Sequence, residues 1–305
     1  MKNISFVTGL ILLVILSGSL SLYAQSDSFT VLAVGGNVSF TKAGSSAWKH
    51  LNTGDQLSGD FKIKIDKNSY AGLIYSNGRA FELNKPGVYE SKWLRNSISN
   101  NTSSGKKFAE FVLNEITKKI VNTKQMKVTG AVVRERMNDI PVGIPPSTYL
   151  LDSVVVFSWY PVDSCSYYTF KLINGDNKTV YLKRVQDTTI SINFNSLQIN
   201  DDSYKWLIIN YDKPEQMSDT NYIFKFTSSK AEAIKDSIEK LNEMIGNQAA
   251  ALNQIILASF YQRNNLNINA LEAYRMAVKL APKVKAYKIR YNEFVKSMGL
   301  DRMVE

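Results

Sequence analysis

The spacing of hydrophobic and polar residues changes along the chain, from a period of two to a period of three to four. In Phe61–Asp66 the apolar residues alternate strictly with polar ones, which is typical of a strand with one buried face. From Ala231 onward the apolar residues recur every three or four positions, which predicts amphipathic helices. The patterns therefore predict a multidomain chain in which β structure precedes helical structure.

The first predicted domain is all-β and covers residues 25–95. Its strands are predicted at 29–34, 37–43, 61–66, 70–76 and 79–83. Asn77-Gly78 lies between the last two runs, and this dipeptide favours a two-residue hairpin turn. We therefore expect a compact β module made of short strands.

A set of spaced residues within 28–95 resembles the FecR-like periplasmic domain. The set begins at Gly36-x-Val38 and continues with Trp48, Leu51, Gly54-Asp55, Leu57, Gly59-Asp60, Ile63 and Ser69-x-Ala71-x-Leu73. The resemblance implies an envelope β module for recognition. Within it, Trp48, Gly54, Asp55, Gly59 and Asp60 are assigned structural roles, because glycine and aspartate commonly form turns.

Residues 96–149 read as a linker that contains one helix. A polar stretch at 96–105 is followed by Phe108, Phe111, Val112, Ile116 and Ile120 at helical spacing. This helix is expected to pack on the first domain. Its lysines leave open a second interpretation, in which it lies on a membrane surface.

Residues 150–228 are predicted to form an antiparallel β sandwich of six short strands. Trp159-x-Pro161, Tyr168-x-Phe170, Leu197 and Tyr204-x-Trp206 resemble the corresponding residues of fibronectin type III and Ig-like domains. Trp159 and Trp206 are expected to be core residues. An aromatic platform for sugars is the alternative.

Residues 229–305 are predicted to be all-helical. Within them, 251–284 resembles one tetratricopeptide repeat, a helix-turn-helix unit, through Leu257, Ala258, Tyr261, Ala270, Tyr274, Ala277 and Pro282. No second copy is visible in the sequence, so the helices are interpreted as an autonomous bundle or as a piece that docks on a partner. The candidate protein-contact residues are Tyr261, Tyr274, Tyr287 and Tyr291.

The first 24 residues have the pattern of a secretory signal peptide. Lys2 supplies the positive charge, an apolar run extends from Ile4 to about Leu22, and Ala24 precedes the polar Gln25. We therefore expect export to the periplasm or envelope of a Gram-negative bacterium. An uncleaved membrane anchor is the alternative.

The composition argues against several functional classes. Cys165 and His50 are single, so the sequence lacks the ligands for a zinc site built on Cys and His and the partners for a His-based triad. The net charge of +10 is spread along the chain instead of forming the concentrated basic face of a nucleic-acid-binding protein. No cofactor, metal or catalytic residues are predicted.

The expected function is that of a non-enzymatic adaptor of the cell envelope whose partner is another envelope protein. Two alternatives stay open. The FecR resemblance implies a signalling regulator, which would need a membrane-spanning N-terminus. A carboxylate-dependent enzyme that acts on envelope glycans is the other.

Overall fold

A computed structural model describes residues 28–97, 140–197, 201–245 and 250–305 of the 305-residue chain. The predicted order of β sheets followed by helices is confirmed. The predicted signal segment and the helix predicted within 96–149 lie outside the described residues. Among the described helices, none is both long and apolar enough to cross a membrane.

The N-terminal β domain consists of two four-stranded sheets and a short helix. Its elements are β1 (Ser28–Gly35), β2 (Val38–Lys42), β3 (Lys49–His50), β4 (Gln56–Ser58), β5 (Phe61–Ile65), β6 (Tyr70–Tyr75), β7 (Ala80–Leu83), β8 (Gly87–Glu90) and α1 (Ser91–Asn96). Sheet 1 has the order β4-β1-β6-β7, and sheet 2 has the order β3-β2-β5-β8. Their facing side chains, among them Phe29, Ile63 and Leu73, form one core.

The middle domain is a β sandwich. Its elements are β9 (Ser147–Leu150), β10 (Val154–Ser158), β11 (Tyr168–Asn174), β12 (Thr179–Val185), β13 (Thr189–Asn193), β14 (Ser203–Asn210) and β15 (Asn221–Lys225). A five-stranded sheet, β12-β11-β14-β15-β9, faces the pair β10-β13. Aromatic side chains that include Phe157, Phe170 and Trp206 fill the space between the sheets.

The sandwich departs from the predicted antiparallel arrangement at β9. This strand pairs in parallel with β15, and it begins at Ser147, before the predicted boundary at residue 150. Pro145-Pro146 explains the difference, since two residues without backbone N–H groups end pairing beside β10 and lead the chain to the opposite sheet.

The described residues after the sandwich form the α-helices α2 (Ser228–Ile245), α3 (Ala251–Arg263), α4 (Asn267–Leu280) and α5 (Lys285–Ser297). The apolar faces of α3, α4 and α5 join one core with Leu32, Ala33, Tyr70 and Ile74 of sheet 1. The expectation of an autonomous helical bundle is therefore wrong. The helices cover the outer face of sheet 1, so β1 and β6 are buried on both faces.

Candidate functional site

The helical hairpin α3–α4 lies between the two β domains, and each β domain caps one of its helices. Ala250 at the start of α3 offers no capping side chain. Instead, Glu82 of β7 accepts a hydrogen bond from the backbone N–H of Leu252 through Oε1 at 2.6 Å. A carboxylate at a helix N-terminus also interacts favourably with the helix dipole.

The start of α4 is capped from the sandwich. Leu266 precedes this helix and has no side chain that could cap it. Oγ1 of Thr148 in β9 accepts hydrogen bonds from the N–H groups of Asn267 at 3.0 Å and Ile268 at 3.4 Å. The side-chain amide of Asn267 donates to the carbonyl of Ser147 at 2.8 Å. The hairpin is thus hydrogen-bonded to both β domains.

A buried chain of hydroxyl groups extends the contact at Glu82. The Tyr70 hydroxyl donates to Glu82 Oε1 at 2.7 Å and lies 3.0 Å from the hydroxyl of Tyr287 in α5. Burial is the main cause that raises the pKa of both tyrosines, so both hydroxyls stay protonated at neutral pH. Tyr287 can then donate to Tyr70, and Tyr70 to the carboxylate.

An apolar groove of about 540 Å³ lies where the hairpin meets the sandwich. Its walls come from β9 and β10 on one side and from α3 and α4 on the other. Val154 and Val156 on β10 and Met276 on α4 are 51%, 56% and 42% exposed, respectively. The volume is within the usual range of ligand sites, so the groove is the candidate binding site.

The ionisable groups on the wall of this groove are acidic or tyrosyl. Asp152 follows β9 and accepts a hydrogen bond from the Asn269 side chain at 3.2 Å. Glu272 pairs with Arg275 at the solvent side. Burial, together with the charge of Asp152, raises the pKa of Tyr261, so its hydroxyl remains a hydrogen-bond donor. The groove can therefore accept an apolar ligand that carries a positive charge.

The structure separates the four tyrosines predicted to contact a protein. Tyr261 lies in the groove, whereas Tyr274, Tyr287 and Tyr291 are each no more than 3% exposed. Tyr274 donates to Gln262 Oε1 at 2.8 Å, and its ring packs on Phe294. Buried side chains cannot form a contact surface, so these three tyrosines are core residues and their predicted contact role is wrong.

The residues that were assigned structural roles are divided between core and surface. Trp159 and Trp206 lie in the sandwich core, and Gly54 and Gly59 have positive φ values in turns. Asp55 accepts a hydrogen bond from the Asn52 N–H at 2.8 Å. Asp60 is paired with Arg95 of α1 at 3.1 Å. Trp48 is 43% exposed, so it contributes little to the core.

The groups with the greatest chemical reactivity lie apart. Cys165 is half-buried, and burial is the main cause that raises the pKa of its thiol. His50 lies exposed on β3. Within residues 28–97, 140–197, 201–245 and 250–305, no group of three His, Cys, Asp or Glu side chains could hold a metal ion.

The residues that build the groove were missed because they had been assigned to separate domains. Val154 and Val156 alternate with the buried Val155 and Phe157, so the sequence places their side chains outward. The run of three valines carries this signal, since strands that face water usually expose polar residues. The opposing helix wall depends on contacts more than 100 residues away in sequence.

Comparisons with known proteins show only distant structural likeness. No family model matches the chain, and no curated protein matches it either. The FN1–FN3 domains of chicken CNTN1 align with 12% identity over 64% of this chain and 55% of that chain, with a TM-score of 0.23. The BSP domain of a biofilm associated protein aligns with 12% identity over 68% and 46%, with a TM-score of 0.22.

A β-1,2-glucanase from Parabacteroides distasonis aligns with 10% identity, a TM-score of 0.24 and coverage of 83% of this chain and 38% of that chain. The chain thus spans about half or less of each of these three structures.

Proposed function

We propose that this chain is an exported, non-enzymatic binding protein of the bacterial cell envelope, and that its partner is another envelope protein. The observation that carries the proposal is the apolar groove between β10 and the α3–α4 hairpin. Large apolar side chains exposed together in a concave site are typical of interaction surfaces. The signal pattern of residues 1–24 supports export.

The two finer resemblances belong to the same proposal. A FecR-like domain at 28–95 supports an envelope location, and a tetratricopeptide-like hairpin at 251–284 supports protein binding. In this arrangement the β domains hold the hairpin by capping its helices, so that one wall of the groove is fixed. The hairpin would then act as part of a rigid site rather than as a free docking arm.

Site-specific photo-cross-linking in the native bacterium tests the proposal. A photoreactive amino acid replaces Met276 in the groove, and the control replaces Lys183, which is exposed on β12. We expect a cross-linked adduct with one envelope protein at position 276 and none at 183. Equal labelling at both positions, or no adduct at 276, would contradict the proposal.

Export is checked separately by N-terminal sequencing of the mature protein. Cleavage after Ala24 gives a chain that starts at Gln25, as expected for an exported adaptor. A chain that retains residues 1–24 in the membrane would favour the regulator alternative instead.

A further inference from the structure

We propose that β10 accepts an added strand from an extended, apolar and basic peptide, which lies in the groove and pairs with the free edge of this strand. The inference rests on the proposed function, because it names the chemistry of the partner segment and its mode of binding.

The hydrogen-bond pattern of β10 shows which of its backbone groups are free. Trp159 N–H donates to the Thr188 carbonyl, and the Ser153 carbonyl accepts from Phe194 N–H. The backbone N–H and C=O groups of the odd-numbered residues from 153 to 159 therefore point toward β13. The Ser158 carbonyl accepts from Gly143 N–H on the opposite side. In an antiparallel pair these directions alternate, so Val154 and Val156 also direct their N–H and C=O groups away from β13.

Among the described residues, no backbone group other than those of β13 is hydrogen-bonded to Val154 or Val156. The segment at Val142 bridges to Trp159, but the chain leaves β10 at Pro145-Pro146 and continues as β9 in the other sheet. The free edge borders the groove, because Val154, Val155 and Val156 all contribute to its wall. An unpaired strand edge is a template for another chain.

The other edge of the same two-stranded sheet serves as an internal comparison. Thr189, Ser191 and Asn193 of β13 are its exposed residues, and all three are polar. None of the three lines the groove that β10 borders. The β10 edge differs from this edge in having exposed valines and an apolar wall opposite, so strand addition is expected at β10.

Charge selects the occupant. Asp152 and Glu272 are the two carboxylates on the groove wall, and none of the described wall residues is a lysine or an arginine. Glu272 is paired with Arg275 at 3.2 Å, so Asp152 is the carboxylate that remains to attract a positive charge. A second copy of the chain, paired through β10, would bring the uncharged residues of its own β10 to the groove and so offers no positive charge to Asp152. A peptide with lysine or arginine between apolar residues complements the groove, while its backbone pairs with Val154 and Val156.

The test uses the mature full-length chain and a fluorescent heptapeptide of alternating lysine and valine. Amide hydrogen exchange provides the residue-specific readout. Without peptide, the amides of Val154 and Val156 should exchange fast, and saturating peptide should slow them about tenfold or more. A peptide with glutamate for lysine and a peptide N-methylated at alternate residues should both bind at least about tenfold more weakly.

A matched pair of proline variants tests the edge itself. Val156→Pro removes an N–H that points away from β13, so the β10–β13 ladder is kept while peptide affinity falls about tenfold or more. Ser191→Pro makes the same change on the β13 edge and should leave peptide affinity unchanged. If a proline variant fails to fold, hydrogen exchange at Val154 and Val156 of the wild type still tests whether the peptide pairs with β10.

Several outcomes overturn the inference. If the amides of Val154 and Val156 are already protected from exchange in the monomer, another segment of the chain occupies the edge. If their protection rises with protein concentration, a second copy of the chain occupies it. Equal binding of the lysine and glutamate peptides excludes charge selection. If the photo-cross-linker at position 276 gives an adduct in cells but the peptide does not bind, strand addition is wrong and the proposed function stands. If the peptide binds but no adduct forms in cells, the proposed function is wrong.

Discussion

At the residue scale, single side chains from the β domains cap the N-termini of the two hairpin helices. Thr148 is fully buried, and its hydroxyl donates to the Tyr149 carbonyl while it accepts from the N–H groups of Asn267 and Ile268. Two donors at the start of α4 therefore depend on one oxygen atom. The equivalent atom for α3 is Oε1 of Glu82.

We expect Thr148→Val to lower the free energy of unfolding by about 1–2 kcal/mol, because the side-chain volume is kept while the cap is lost. Thr148→Ser retains the hydroxyl and should recover most of that loss. Urea unfolding of the three proteins measures the difference. Equal midpoints for Thr148→Val and the wild type would show that the cap contributes nothing.

The buried tyrosine pair predicts a loss of stability in alkaline solution. An unfolded tyrosine has a pKa near 10, and burial holds the pKa of Tyr70 and Tyr287 above that value in the folded chain. Above about pH 10 the unfolded state therefore binds fewer protons than the folded state, and stability falls as the pH rises. The contribution is complete below about pH 10.

Tyr287→Phe isolates this effect. The variant should lose about 1 kcal/mol below pH 10, since one buried hydrogen bond is missing. Its stability should then decline less steeply than that of the wild type above pH 10, because one of the tyrosines whose pKa is raised by burial has been removed. Unfolding free energies measured on both sides of pH 10 check this, and parallel pH profiles would rule out the Tyr287 contribution.

At the element scale, β1 and β6 are the strands on which the arrangement of the N-terminal half depends. One face of each strand packs toward sheet 2 and the other toward the helices. The loop before α5 lies close to Gly35, where an added Cβ would lie 3.1 Å from Val284 Cγ2 and 3.2 Å from the Lys283 carbonyl. Glycine at this position allows the loop before α5 to contact the sheet.

Gly35→Ala should therefore destabilise the protein by about 1–3 kcal/mol through overpacking. Gly175 provides a matched control, since no atom lies within 4 Å of its added Cβ and its φ is not in the left-handed region. Gly175→Ala should change stability little. Thermal unfolding of both variants tests the pair, and equal shifts in Tm would argue against a close approach at Gly35.

Sequence patterns predicted the individual elements better than their assembly. The alternation in Phe61–Ile65 correctly placed β5, and the helical spacing from Ala231 placed α2. The runs FTVLAV and YAGLIYS were predicted only as strands. They do not alternate, which is typical of strands buried on both faces, but the sequence does not identify the covering element. The capping contacts join residues 170 and 119 positions apart, so no local pattern contains them.

The same reasoning explains why only part of the groove was foreseen. The repeat-like spacing at 251–284 placed Tyr261 on the hairpin, where the groove includes it. Tyr274 on α4 and Tyr287 and Tyr291 on α5 were predicted to make contacts as well, yet they lie in the core that the helices share with sheet 1. The β domain determines which face of each helix remains exposed to solvent, and helical periodicity alone does not predict that face.

At the scale of the whole molecule, the first β domain and the helices share one hydrophobic core, whereas the sandwich has its own. Leu32, Tyr70 and Ile74 belong to the same cluster as Ile255 and Phe294. Removal of residues 229–305 would leave this face of sheet 1 in water, so a truncated chain is a poor probe of what the helices bind. Single substitutions in each of the two cores test instead which parts of the molecule unfold together.

Ile255→Ala tests whether the helices and the first β domain unfold as one unit. Ile255 is 1% exposed in the shared core, and its truncation should cost about 2–5 kcal/mol. If the unit is cooperative, amide exchange should accelerate equally in α3 and in β1. Ile208→Ala, an equally buried change in the sandwich core, should accelerate exchange in β14 and leave β1 unchanged. Faster exchange in α3 alone would mean that the helices open independently of the sheet, and the groove would then have a movable wall.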